Sequence, residues 1–119
     1  MGANEDLRVR TKQFALRVVR LYRALPHQEE ARVLGKQLLR SGTSVGANYR
    51  AACWARSKAE FIAKLGIVLE EADESVFWLE LIAETGLVGP EKLQALVKEA
   101  EELTAIFVTS LRTAKGIAS

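Results

Sequence analysis

Apolar residues recur along the chain at alternating steps of three and four, and four such ladders can be followed. The first carries Leu7, Thr11, Phe14, Val18, Leu21 and Leu25, which predicts a helix from about Glu5 to Ala24. Glu5 and Asp6 at its start complement the helix dipole, and Pro26 stops it. The second ladder, Ala31, Leu34, Leu38, Ser41, Val45, Asn48 and Ala52, predicts a helix from Gln28 to Arg56. A capping box, Ser57-Lys58-Ala59-Glu60, opens the third, in which Phe61, Leu65, Val68, Ala72, Ser75, Leu79 and Ile82 form the seam. Ile62, Leu69, Val76 and Trp78 widen that seam, so this helix is expected to be covered on more than one side. Glu84-Thr85-Gly86-Leu87 reads as its ending, with Gly86 left-handed and Leu87 folding back. Gly89-Pro90 opens the last helix, with Leu93, Leu96, Ala100, Leu103, Phe107, Ser110 and Ala114 at the same steps. The tail from Lys115 to Ser119 is expected to fray. Short loops make sequence neighbours antiparallel neighbours in space, so residues 1–119 read as a single domain. The fold class is all-α, an up-down antiparallel four-helix bundle.

Gly42 and Gly46 interrupt good helix formers in the second ladder, each at about 1 kcal/mol relative to alanine. Because the spacing is kept through them, one long helix with a thin waist is expected, the small residues letting another backbone approach. A break at Ser41–Thr43 is the alternative. Ser41 and Asn48 are placed toward the core, where each needs a hydrogen-bond partner. Val9 and Leu16 point outward.

The composition, 49% hydrophobic and 27% charged over 119 residues, is that of a globular domain with a sizeable core. No apolar run approaches the roughly 18 residues needed to span a bilayer, and the polar start MGANEDLRVR lacks a secretory core. One cysteine, Cys53, excludes an internal disulfide, and a cytoplasmic location with no membrane partner is expected. Net charge is only +2, but residues 1–58 hold twelve Lys/Arg against four acids, +8, which leaves −6 for the rest. Either the basic half is a nucleic-acid surface, or basic and acidic helices neutralise one another within the bundle.

Catalytic constellations are missing. His27, the sole histidine, falls in a turn, so no Glu-x-x-His metal pair can form. Glu70, Glu71 and Glu74 could share a cation, but such clusters are more often solvated faces. Cys53 reads as a small buried residue, and Gly42-x-x-x-Gly46 lacks the lysine or third glycine of a nucleotide loop. No catalysis, metal or cofactor is expected. The serious candidate is phosphate binding by Arg10, Lys12, Arg17, Arg20, Arg23, Arg32, Lys36, Arg40 and Arg50 on the first two helices. Arginine dominates this set, and its planar fork suits phosphate. No sequence-reading motif accompanies it, so backbone-driven binding to structured RNA or DNA with little sequence preference is expected. Tyr22, Tyr49 and Trp54 read as packing residues.

The stretch Gln37–Ile82 also carries a resemblance. Its Gln37-Leu38-x-Arg40-Ser41 start, Ser44-x-x-x-Asn48, Arg56-Ser57-x-x-x-Phe61 and Glu71-x-x-x-Ser75-x-x-Trp78-Leu79 resemble the four-helix-bundle family of 23S ribosomal RNA intervening-sequence proteins. The accessory variability proteins of diversity-generating retroelements are similar too. The family pattern usually carries an acid near Ala51 or Ala52, and this chain has alanine at both. The resemblance implies a bacterial homopentamer arranged as a short barrel with a central channel. It implies a second copy as partner and, for the retroelement branch, RNA and a reverse transcriptase. A structural oligomer that scaffolds a protein partner without touching nucleic acid is the other expectation.

Overall fold

The computed structural model describes residues 3–116, with side chains from Asp6 onward, as four α-helices in sequence. These are α1 Ala3–Ala24, α2 Glu29–Cys53, α3 Lys58–Thr85 and α4 Pro90–Lys115, with no strand among the described residues. At about 1.5 Å per residue they account for the long dimension of a 44 × 25 × 24 Å rod. The stop signals act as expected. Ser57 is extended, and its hydroxyl accepts the Glu60 N–H at 3.0 Å. Gly86 takes φ 75°, a left-handed value that glycine adopts at no steric cost, and Leu87 packs back on the core. Pro90 begins α4 and Gly116 caps it. Ile117–Ser119 of the tail, and the Glu5 side chain, lie outside the described residues.

The four ladders close on one interior. Phe14, Val18, Leu38, Val45, Leu65, Val68, Leu79, Leu103 and Phe107 are all buried. Adjacent helices run antiparallel: Gly46 lies by Thr11 and Gly35 by Leu25 across α1 and α2, and Ser41 meets Ser75 across α2 and α3. Tyr49 and Phe107 pack at 5.4 Å between ring centroids, tying α2 to α4. The contact between α1 and α4 is the lightest of the four and is closed by an ion pair.

The waist of α2 is a steric fit. The helix is continuous through Ser41–Thr43, so the predicted long helix forms and the break does not. A Cβ on Gly42 would stand 2.8 Å from Val18 Cγ2, and one on Gly46 3.3 Å from the backbone oxygen of Thr11. Gly35 does the same for Leu25, at 2.6 Å. Three glycines thus let α1 lie against the backbone of α2.

Three local expectations are corrected. Tyr49, not Asn48, occupies the core position: Asn48 is half-buried and its Nδ2 donates to Ser44 O at 2.9 Å in its own helix. The glycines move the buried face of α2 toward α1, so that Ala31, Gly35, Leu38, Gly42, Val45, Tyr49 and Ala52 form the inner stripe. Ser41 is buried as expected and finds a partner, with its hydroxyl 2.9 Å from that of Ser75. Second, α2 ends at Cys53 and not at Arg56, because an extended Ser57 needs a turn before it to reverse the chain. Third, that turn carries Trp54 into solvent, so it is not a packing residue. Cys53 is half-buried against the core.

Candidate nucleic-acid interface

The core stripe of α1 fixes what its opposite side presents. With Phe14, Val18 and Leu21 inward, Lys12, Leu16, Arg20 and Arg23 follow one another by four, four and three on the outer face, and all four are exposed. Val9 lies on the same face at 56% exposure, with Leu16 at 38%. On α2, Arg32, Lys36 and Arg50 are exposed. Arg17 is half-buried on the flank of α1, two turns beyond Arg10.

The nine candidate cations divide into two groups. Arg10 belongs to the bundle itself: its Nε and Nη2 donate to both carboxylate oxygens of Glu99 at 2.8 and 2.7 Å, and Nη2 also reaches Glu102 at 3.0 Å. The Glu99 hydrogen bonds outweigh partial burial and hold the Arg10 guanidinium well above its usual range. Arg40 likewise donates to Glu71 at 3.1 Å and to Glu74 across the α2–α3 boundary. Burial, helped by the neighbouring Glu74, pushes the Glu71 carboxyl up although Arg40 opposes it. For these two arginines the neutralising arrangement between helices is the one that forms. Lys12, Arg17, Arg20, Arg23, Arg32, Lys36 and Arg50 make no ion pair among the described residues.

The structure brings some of the remainder together. Arg23 and Arg32 flank a shallow cleft of about 160 Å³ at the α1–α2 turn, with Tyr22 and His27 on its wall. Arg50 sits near the far end of α2, next to Tyr49 in sequence, and Arg8 acts on the Tyr49 phenol. That phenol is pushed up by burial and by Cys53, with Arg8 pulling the other way. Lys12 and Arg20 lie between the two ends. The sites form a discontinuous basic track along the outer faces of α1 and α2, not a pocket.

The acidic side is equally plain. Glu70, Glu71, Asp73 and Glu74 line an open cleft on α3 with Phe77, which is 53% exposed. The Arg40 guanidinium occupies the carboxylates of Glu71 and Glu74. Among the described residues no group of three or more His, Cys, Asp or Glu side chains is placed to hold a metal ion. Among them, too, no helix is long and apolar enough to cross a membrane. Sequence reasoning counts Arg56 and Lys58 in the basic half but not among the phosphate-binding candidates, and it reads the exposed Trp54 as packing. The signal for the exposure of Trp54 is the change of direction demanded by Ser57.

A family model described as 23S rRNA-intervening sequence protein matches residues 5–109. The crystal structure of a protein of unknown function from the S23 ribosomal protein family of Bacteroides thetaiotaomicron superposes with a TM-score of 0.85. The two sequences are 37% identical, and the match covers 92% of this chain and 97% of that one. A comparison with curated proteins finds no match.

Proposed function

Given that the chain belongs to the 23S rRNA-intervening sequence protein family, we propose that it is a non-enzymatic, cytoplasmic homo-oligomer that binds structured RNA without sequence preference. The contact surface is the outer face of α1 and α2. One observation carries this reading: Lys12, Arg20 and Arg23 on α1, with Arg32 and Lys36 on α2, project into solvent and have no carboxylate partner among the described residues. Cations kept out of ion pairs in a chain that pairs Arg10 and Arg40 so fully are free for phosphate. Lacking a groove-reading element, such a track grips backbone and not base edges.

Assembly follows from what the single chain leaves uncovered. Val9, Leu16, Ile67 and Phe77 are all exposed, and α3 is apolar around most of its girth. A ring of copies, a pentamer in this proposal, would cover part of that surface and set the basic side of one copy near the acidic side of the next. The same exposed residues favour a second reading, in which the oligomer scaffolds a protein partner such as a reverse transcriptase. Val9 and Leu16 lie among the arginines, where a protein surface could dock.

The test is binding of a structured RNA at low salt by the wild type and by a variant with Arg17, Arg20 and Arg23 changed to Glu. The proposal requires the wild type to bind and the variant to lose affinity at least tenfold. Binding indifferent to the charge reversal, or no binding, supports the scaffold.

A further inference from the structure

Trp54 is 70% exposed, the most open of the large hydrophobic side chains in the bundle. Its backbone is nonetheless held in one place. At the C-terminal cap of α2 its backbone takes φ −101° and ψ 10°, and its N–H donates to the carbonyls of Ala51 and Ala52. The Ala55 N–H donates to Ala52 O at 3.0 Å, and two residues later Ser57 caps α3. A short, hydrogen-bonded turn therefore presents a large flat aromatic to solvent. Nothing in the fold of a single chain gains from that.

Its surroundings are cationic. Arg50 lies one turn back on α2, Arg56 is two residues on, and Lys58 begins α3, all exposed. Arg8, near the start of α1, stands at the same end of the rod because α1 and α2 run antiparallel, with Thr11 beside Gly46. The antiparallel order also brings Lys64, Arg112 and Lys115 to this end. Among the described side chains, seven Lys/Arg thus stand there against two acids, Asp6 and Glu60. An apolar protein partner would leave these cations to be desolvated without counter-charge. A polyanion with flat unsaturated faces suits both features at once.

We propose that Trp54 is a base-stacking platform: an unpaired nucleobase of single-stranded RNA lies on the indole while Arg50, Arg56 and Lys58 take the flanking phosphates. Stacking on an exposed aromatic tolerates any base, because every base has a π-face, but it needs that base out of a duplex. The proposal rests on the nucleic-acid reading above and adds to it a contact that distinguishes strandedness. It extends the interface from the outer faces of α1 and α2 to the α2–α3 end of the rod.

The experiment titrates the full-length protein with labelled oligouridylate of about 20 nucleotides and with an RNA duplex of about the same length. Wild type, Trp54→Ala and Trp54→Phe are compared at one salt concentration, with light scattering of each. Trp54→Ala should weaken the single strand about tenfold while changing the duplex less than about twofold, with Trp54→Phe in between. Equal affinity of wild type and Trp54→Ala for the single strand overturns stacking and leaves the basic track standing. Equal losses on both probes overturn it as well. A changed oligomeric mass in Trp54→Ala shows the indole to be a contact between copies, which also overturns it. If neither RNA binds the wild type at low salt, the platform and the nucleic-acid reading fall together.

Discussion

Gly42→Ala, examined together with Val18→Ala, tests whether the waist of α2 is a steric necessity. Alanine is favoured over glycine in a helix interior by about 1 kcal/mol, so on propensity alone the change should stabilise. The structure opposes it. The new methyl would meet Val18 Cγ2 at 2.8 Å, Cγ1 at 3.0 Å and Cβ at 3.2 Å. Val18 is fully buried and β-branched, so it has neither space nor a second easy rotamer to move into. Overpacking of this kind costs about 2 kcal/mol, leaving Gly42→Ala less stable by about 1 kcal/mol. Val18→Ala removes two buried methyl groups and should cost about 2–3 kcal/mol. In that background the two Cγ contacts are gone and only the Cβ at 3.2 Å remains, so the Gly42→Ala methyl keeps most of its helical advantage and should stabilise by up to about 1 kcal/mol. The sign of one substitution therefore reverses, a coupling of about 2 kcal/mol. Urea unfolding of the four proteins at equal protomer concentration measures it, and heat should show about 4 °C per kcal/mol. Additive effects, or a stabilising Gly42→Ala in the wild-type background, would refute the close approach of α1.

Other consequences can be checked on the same samples. Glu99→Gln leaves the half-buried Arg10 guanidinium short of its main acceptor and should cost about 1 kcal/mol at low salt, less as salt rises. Glu71→Gln tests the carboxyl whose folded-state value is raised by burial and by Glu74. A raised acid penalises the folded state when ionised, so the variant's advantage over wild type should be largest near neutrality. It should shrink as pH falls through the raised Glu71 value toward 4.5, where the wild type takes up the proton itself; a gap that widens on acidification contradicts this. Light scattering should give a mass several times the 13.1 kDa protomer, and a clean monomer removes the assembly proposal.

How much of this was legible beforehand follows from where the physics is local. Helix-stop chemistry at Pro26, Ser57, Gly86 and Pro90 acts within a few residues, and each stands where the sequence puts it. Periodicity likewise placed Leu38, Val68 and Leu103 in the interior. Asn48 was misplaced because a ladder of threes and fours cannot say which of two adjacent residues faces in once glycines widen the buried stripe. Tyr49 won that position through Phe107, a contact 58 residues away in sequence. The fate of each cation was likewise non-local. Arg10 and Arg40 resemble their neighbours in sequence, and only the approach of Glu99 from α4 and of Glu71 and Glu74 from α3 takes them out of the basic track. Tryptophan is commonly a packing residue, which is all the sequence says of Trp54, whereas its exposure follows from the turn between α2 and α3.

The basic track itself is tested most directly by the salt dependence of RNA affinity. Each phosphate contact contributes about 0.7–0.9 to the slope of log affinity against log salt. With Lys12, Arg17, Arg20, Arg23, Arg32, Lys36 and Arg50 outside ion pairs, the account predicts a fall with a slope of at least about 3 for wild-type protein on structured RNA. Affinity that stays level from low to high salt would contradict it.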